Sequence, residues 1–259
     1  MPKIYISLTV HENPAFLAHQ LNNIHKAYRE DYKVIVHISK DSTEYLEEFN
    51  ALSHTVLNMS DVIVNDERCH TRWGYILHAH ISNFNFIRHE NFDKFVLMAS
   101  NEFVVNKNIS DHIHRYDFGC DDIKIAEGDG WMWTDTILSD QQLMDLLRKR
   151  GISLYASYHE GSFYSKSILE YMVDICEEYG DWFGALYPRE EVFFPSIANA
   201  IFFDRIRTRH FSIIGSNITK DLICDLHSYP AGDKFSIKGF SRISIDPELL
   251  GCLRDLDLI

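Results

Sequence analysis

Three short polar corners follow apolar runs in the first hundred residues: His11-Glu12, Ser39-Lys40-Asp41 and Ser100-Asn101-Glu102. Hydrogen-bonding groups gathered at such places suit a small polar ligand, because ligands of open α/β sheets bind beyond the carboxyl ends of the strands. Further on, Glu127-Gly128-Asp129 places two carboxylates in one turn, ahead of Trp131 and Trp133. Hard oxygen donors of this kind suit a divalent ion. Fourteen histidines raise the question of a zinc centre. The tightest pairs, His78/His80 and His112/His114, fall on spans that read as helical, where residues two apart do not face each other. No Gly-Lys-Ser/Thr loop and no Gly-x-Gly-x-x-Gly run is present, so kinase and dinucleotide oxidoreductase chemistry have no support.

The chain has 259 residues, 46% of them hydrophobic, enough for one α/β domain with a substantial core. The formal charge of −13 argues against a nucleic-acid partner, which calls for a basic face. Five cysteines (Cys69, Cys120, Cys176, Cys224 and Cys252) form no Cys-x-x-Cys pair, and an odd count cannot close into a full disulfide framework. The expectation is buried free thiols. With neither a signal-peptide pattern nor a run of about 18 apolar residues, the expected setting is cytoplasmic, without a membrane span.

The elements that must position these residues follow from periodicity. Lys3–Val10, Val34–Ile38 and Phe95–Ala99 read as buried strands, with short strands near Thr55–Leu57 and Val62–Val64. Asn13-Pro14 opens a helix whose stripe is Phe16, Leu17, Leu21, Ile24 and Tyr28. Ser42 caps a helix running to Asn50, and Thr71–Arg88 is the most strongly periodic helix. Alternating strands and helices predict a mainly parallel sheet flanked by helices. The second half is expected to hold a strand at Asp121–Glu127, helices at Asp140–Arg150, Ser165–Tyr179 and Glu190–Phe203, and a last helix near Pro247–Leu256.

Several segments, taken in order, resemble the core 2/I-branching β-1,6-N-acetylglucosaminyltransferases and the peptide O-xylosyltransferases. Leu8-Thr9-Val10-His11 and Val36-His37-Ile38-Ser39-Lys40-Asp41-Ser42 are similar to the first βαβ unit of that family. Arg72-Trp73-Gly74 is similar to its Trp-Gly-Gly helix start, and Phe95–Phe103 with Asn106–Ile109 to its Asn-Leu-Ser-Gly-Gln-Asp-Phe-Pro region. Gly161-Ser162-Phe163-Tyr164-Ser165 resembles Gly-Ser-Ala-Tyr-Phe, Arg189-Glu190-Glu191 resembles Pro-Asp-Glu, and Asp233-Lys234-Phe235 resembles Asn-Lys-Phe. The departures are Glu102 in place of Asp and Arg189-Glu190 in place of Pro-Asp. A membrane anchor and disulfides, carried by the family's secretory members, are also missing, which suggests a distant microbial relative.

The resemblance implies a single GT-A-like, Rossmann-like α/β domain over 1–259. A nucleotide-sugar half spans 1–105, and an acceptor half over 106–259 carries a diphosphate-contacting C-terminal segment. It implies an inverting transfer of a sugar, GlcNAc or xylose first, from a UDP-sugar to a hydroxyl of a glycan or lipid-linked glycan. Glu191 is then the general base, with Glu190 beside it, and no metal is needed. Lys234, Arg209 and Arg207 neutralise the diphosphate. His11, His37, Ser39 and Asp41 lie on the donor side. Glu102, Asn101, Trp131 and Trp133 are offered to sugar, an indole presenting an apolar plane to a sugar face. Asp255-Leu256-Asp257, the sequence's Asp-x-Asp, lies too near the terminus to cage an ion. Two alternatives stay open: a metal-dependent enzyme using Glu127 and Asp129, and a non-catalytic nucleotide- or carbohydrate-binding protein on the same fold.

Overall fold

The computed structural model describes residues 4–11, 13–28, 32–42, 46–53, 60–71, 74–178, 186–215, 217–229, 232–241 and 246–259. The chain begins with β1 (Ile4–Val10), α1 (Pro14–Tyr28), β2 (Tyr32–Ile38), α2 (Leu46–Ser53), β3 (Val62–Asn65), α3 (Ile76–Ile87) and β4 (Lys94–Ala99). Next come β5 (Glu102–Val104), α4 (Ile109–His114), β6 (Phe118–Gly119), β7 (Ile123–Lys124), α5 (Thr134–Ser139), α6 (Gln141–Arg150) and β8 (Tyr155–Ala156). The last part holds β9 (Phe163–Ser165), α7 (Lys166–Glu178), α8 (Glu190–Ile201), β10 (Arg207–Thr208), β11 (Ser212–Ile214), α9 (Lys220–Ser228), β12 (Ser236–Lys238) and α10 (Pro247–Asp255).

Seven strands form the main sheet in the order β10-β6-β9-β4-β1-β2-β3. β1 is parallel to β2 and β4, β2 to β3, and β6 to β10, while β9 runs antiparallel between β4 and β6. Strands from both halves of the sequence therefore share one sheet. A smaller sheet, β11-β12-β5, lies beyond the end of β4. The alternation of side chains along a strand sorts the core. Ile6, Leu8, Val36, Val96 and Met98 pack with Leu17, Leu21 and Ile24 of α1. Tyr5, Ile35, Phe95 and Leu97 pack on the other face with Leu77, Phe84 and Ile87 of α3.

The α3 face is partly polar. Asn83 Nδ2 donates to Ser7 Oγ at 2.9 Å and to the Ile35 carbonyl at 3.2 Å, and Ser7 Oγ lies 2.8 Å from His80 Nδ1. This buried seam leads from the sheet centre toward the ends of β1 and β4.

Two expected elements are shorter than the pattern suggested. The helix read from Thr71 starts at Ile76, because Gly74 takes φ = 81°, a left-handed conformation that a helix cannot include. The strand read over Asp121–Glu127 reduces to Ile123–Lys124, paired only with β8 and exposed on both faces. Glu12, Thr55–Leu57, Arg72 and Trp73 lie outside the described residues. No disulfide joins the cysteines, and Cys224 Sγ lies 3.8 Å from Cys252 Sγ. Among the described residues, no helix is long and apolar enough to cross a membrane.

His37, inside β2, is fully buried, and its Nε2 accepts from the Cys69 amide at 3.0 Å. Burial above all, helped by nearby Arg68, pushes its pKa down to about 4 from 6.5. The unfolded chain therefore takes up a proton in this window that the folded one refuses, so stability is lost as pH falls from about 6.5 to about 4. The loss amounts to up to roughly 3 kcal/mol. Denaturant unfolding of wild type and His37→Gln across this range checks it: the variant's stability should decline less steeply, and equal slopes would exclude His37 as the source.

Candidate active site

The site is built where α8 meets the segment after β8. Tyr187 Oη donates to Asp140 Oδ2 at 2.7 Å, and Arg189 pairs with the same oxygen at 2.9 Å. Asp140 also caps α6 by accepting from the Leu143 amide, so the entry to α8 is fixed to the start of α6. α8 carries Pro195 in its interior. A proline lacks the N–H that would bond the carbonyl four residues back, here that of Glu191. The Ser157 amide takes that carbonyl instead, at 2.9 Å. One residue into the next turn, Ser196 Oγ accepts from the Tyr155 amide at 2.9 Å and donates to the Tyr155 carbonyl at 3.1 Å. The strip 155–157 is thus fastened along α8.

From there the chain turns sharply. The Ser162 amide donates to the His159 carbonyl at 2.9 Å, and the Gly161 amide to the Leu97 carbonyl at 3.0 Å. Gly161 has φ = 71°, and a Cβ there would stand 2.2 Å from Ser212 Oγ and 2.7 Å from its amide. Only glycine fits this approach. The turn drives His159 and Glu160 into the space in front of Glu190 and Glu191.

The result is a buried ionisable cluster. His159 Nδ1 lies 3.5 Å from Glu160 Oε2, 3.7 Å from Glu190 Oε1 and 3.7 Å from Glu191 Oε1. The His159 ring packs on His80, centroids 5.7 Å apart, and so continues the polar seam. Lys238 Nζ is bonded to Glu160 Oε1. Burial opposes the imidazolium, but the carboxylates, Glu160 foremost, outweigh it and raise His159 to about 9. Burial also works against charge on Glu160, yet His159 and Lys238 hold its pKa down. Burial carries Glu190 up to about 7 and raises Glu191 as well. His159, Glu160 and Glu191 each present one ligand atom within 4.8 Å of the others.

These groups face a cavity of about 200 Å³ at the carboxyl ends of β1 and β4, lined also by Thr9, His11, Thr71, Ser100 and Lys238. A second cavity of about 250 Å³, mostly apolar, is lined by Ile123, Ile125, Trp131, Ala156 and Tyr158. Glu191 borders both.

Of the residues singled out from the sequence, Glu190, Glu191 and His11 line the first cavity, and Trp131, Asp129 and again Glu191 the second. The others lie elsewhere. Lys234 donates to the His210 carbonyl at 2.6 Å, and Arg209 Nε to Asp121 Oδ1 at 2.9 Å. His210 Nε2 lies 3.3 Å from Asp121, which joins the two cations in one group. This group sits behind the Ser157–Glu160 strip, His210 Nδ1 lying 3.2 Å from the Glu160 carbonyl. Arg207 reaches Asn199 and Asp122. The lysine lining the cleft is Lys238.

On the donor side, His37 is enclosed in β2, and Ser39 Oγ accepts from the Asp41 and Thr71 amides. Asp41 pairs with His70 at 2.6 Å on the surface. Asn101 binds the Phe240 carbonyl, and Trp133, half-buried, packs on the core.

Glu102 is a correction. It is fully buried, accepting from Ser236 Oγ at 2.5 Å, from Ser212 Oγ and from the Ala99 amide at 3.2 Å. It ties the small sheet to the end of β4 and presents nothing to a sugar. Asp129 is likewise spent on its own turn, accepting from Thr134 Oγ1 at 2.6 Å and from the Trp131 amide at 2.9 Å. Glu127 beside it is exposed. At the C-terminus, Asp257 pairs with Lys26 and Lys107.

With this geometry in place, comparison with known proteins adds the following. No family model matches the chain, and no curated protein sequence matches it. Among solved structures, an active-site mutant of LgtC covers 98% of this chain and 94% of its own, with 12% identity and a TM-score of 0.52. The galactosyltransferase LgtC in complex with donor and acceptor sugar analogs covers the same shares, with 11% identity and a TM-score of 0.46. The chain shares its fold with a GT-A glycosyltransferase.

His159, Glu160, Lys238 and Pro195 are candidate functional positions that no sequence motif marks. Only Pro195 carried a legible signal, a proline inside a helical pattern. Two outcomes test this account. Pro195→Ala restores a helical N–H opposite the Glu191 carbonyl, so the Ser157 amide should exchange faster in hydrogen–deuterium exchange, with the fold retained. Ser212 and Ser236 can still bond each other at 2.6 Å, but Glu102→Ala leaves one hydroxyl proton and the Ala99 amide without an acceptor around a cavity, and should cost about 2–5 kcal/mol in denaturant unfolding. Any KM for a sugar ligand should stay unchanged in the folded protein.

Proposed function

We propose that this protein is an inverting glycosyltransferase that moves a sugar from a nucleotide sugar to a hydroxyl of a glycan acceptor. The observation that carries the reading is the Glu190–Glu191 pair, opening α8 into a cleft at the carboxyl ends of β1 and β4. Likeness of fold to LgtC supports the reaction class, and the motif resemblance supports the role of the glutamates.

Transfer needs a group to take the acceptor proton and positive charge to stabilise the departing diphosphate. One carboxylate of the pair accepts the proton. The acceptor oxygen forms its bond to the anomeric carbon as the carbon–phosphate-oxygen bond breaks, and that electron pair leaves with the diphosphate. A single displacement of this kind inverts the anomeric centre. Lys238, inside the cleft, is placed to meet the diphosphate, and Lys234 and Arg209 form a second basic group behind the Ser157–Glu160 strip. The apolar cavity beside Glu191, with Trp131 and Tyr158 in its wall, is the natural seat of an acceptor, because sugar faces stack on aromatic planes. The resemblance makes UDP-GlcNAc and UDP-xylose the first donors to try.

In a transfer assay against glycan acceptors, Glu191→Gln and Glu190→Gln should each bind donor normally, and the variant that removes the base should lose roughly 10²–10⁴-fold in kcat. Lys238→Met should lower kcat, and Lys234→Met should raise the donor KM. Donor binding without transfer or hydrolysis by wild type, over a broad acceptor panel, would instead identify a non-catalytic binding protein.

A further inference from the structure

We propose that His159, Glu160 and Glu191 form a binding site for one divalent transition-metal ion, with Glu190 at its margin. The proposal concerns ion binding and does not rest on the transfer reaction.

The first ground is enclosure. His159 is 5% exposed, Glu160 and Glu190 1%, and Glu191 14%. The second is that this buried cluster is held together by charge at 3.5–3.7 Å, with several of its atoms lacking a hydrogen bond. Neither ring nitrogen of His159 has a hydrogen-bond partner, nor has Glu160 Oε2 or Glu190 Oε2. A buried polar atom left without a partner costs about 1–3 kcal/mol, so several facing one another mark a place built for an occupant. Three carboxylates around an imidazole nitrogen select a cation.

Spacing narrows the cation further. Nitrogen and oxygen atoms 3.5–3.7 Å apart subtend about 110–120° at an ion roughly 2.1–2.2 Å from each. At these three imidazole–carboxylate edges that angle fits four-coordination better than an octahedron, whose neighbouring ligands stand near 90°. One imidazole with carboxylates suits zinc, cobalt or manganese better than calcium or magnesium.

Lys238 does not compete for the site. It bonds Oε1 of Glu160 and leaves Oε2 directed at His159. The carboxylate can thus bridge lysine and ion, as outer partners do when they orient a metal ligand. The histidine pairs conspicuous in the sequence take no part, and the proposal runs against the expectation of a site free of metal.

The test uses the full chain, stripped with EDTA and titrated with Zn²⁺, Co²⁺ and Mn²⁺ by calorimetry. Wild type should take up one equivalent and gain thermal stability with it. Bound Co²⁺ should show the intense visible absorption of a four-coordinate complex. His159→Gln and Glu160→Gln should each weaken binding about tenfold or more, while Asp255→Asn leaves it unchanged. If either variant fails to fold, pulsed electron paramagnetic resonance of Mn²⁺ in the wild type reads a histidine nitrogen directly. No uptake of any of the three ions at millimolar concentration, or undiminished binding by folded His159→Gln, overturns the site. Uptake without glycosyl transfer would leave the site standing and count against the proposed reaction, and transfer without uptake would do the reverse.

Discussion

One hydrogen bond organises the cleft. Pro195 deprives α8 of an N–H, and the Glu191 carbonyl is paired by the Ser157 amide instead. A buried carbonyl without a partner is expensive, on the order of 1–3 kcal/mol, so the helix and the strip after β8 are held in register by the penalty for separating them. Ser196 adds two bonds to the Tyr155 backbone on the same side. The far end of the strip is pinned to β4 through Gly161 and Leu97. Side chains more than thirty residues apart in sequence thereby meet within 4 Å. The first turn of α8 and the 157–162 turn each have other roles in the fold, but only their junction creates the acidic cluster.

Burying three carboxylates together costs several kcal/mol per ion unless charge and hydrogen bonds answer it. The answer here is uneven. Glu160 has Lys238 and His159 and keeps its pKa low, while Glu190, without a lysine, rises to about 7. A group of this kind is not what a fold selects for stability alone, since apolar residues of similar volume would pack there more cheaply. The contrast with Glu102 makes the point. Glu102 is also a fully buried carboxylate, but two serines and an amide satisfy it, so it fastens two sheets. The difference between fastening and function lies in unsatisfied atoms rather than in burial.

Much of the frame was legible in the sequence because β1, β2 and β4 are covered on both faces and read as near-continuous apolar runs. Helix boundaries moved where a single backbone requirement intervened, as at Gly74. The site was legible only in part. Glu190 and Glu191 stood out because they open an apolar helix. His159 did not, because its partners are distant in sequence and no local spacing marks it. Lys238 did not stand out for a similar reason. A motif match aligns letters, but strand periodicity decides which side chain reaches the cleft. Lys234 falls before β12 begins and bonds backward to His210, whereas Lys238 ends the strand and reaches Glu160. Asp129 looked like an ion ligand, because a carboxylate bracing its own turn carries the same letter as one free to bind.

On the proposed reading, the acidic first turn of α8 also constrains how a nucleotide sugar lies. A helix N-terminus attracts anions through its unpaired amides and dipole, and a phosphate often takes that place. Here Glu190 and Glu191 stand in that first turn, and its amides bond the Pro188 and Arg189 carbonyls. The two glutamates gain from the dipole, which offsets part of the penalty of their burial, and they repel a second anion. On the proposed reading, the diphosphate lies toward Thr9, His11 and Lys238, with Ser100 at the end of β4. The acceptor is left with the apolar cavity that Glu191 shares. Donor and acceptor then meet across the glutamate pair, the arrangement that an in-line displacement with proton removal on the acceptor side requires. On the proposed reading, the acidic start of α8 thus sorts the two substrates to the two cavities that Glu191 borders.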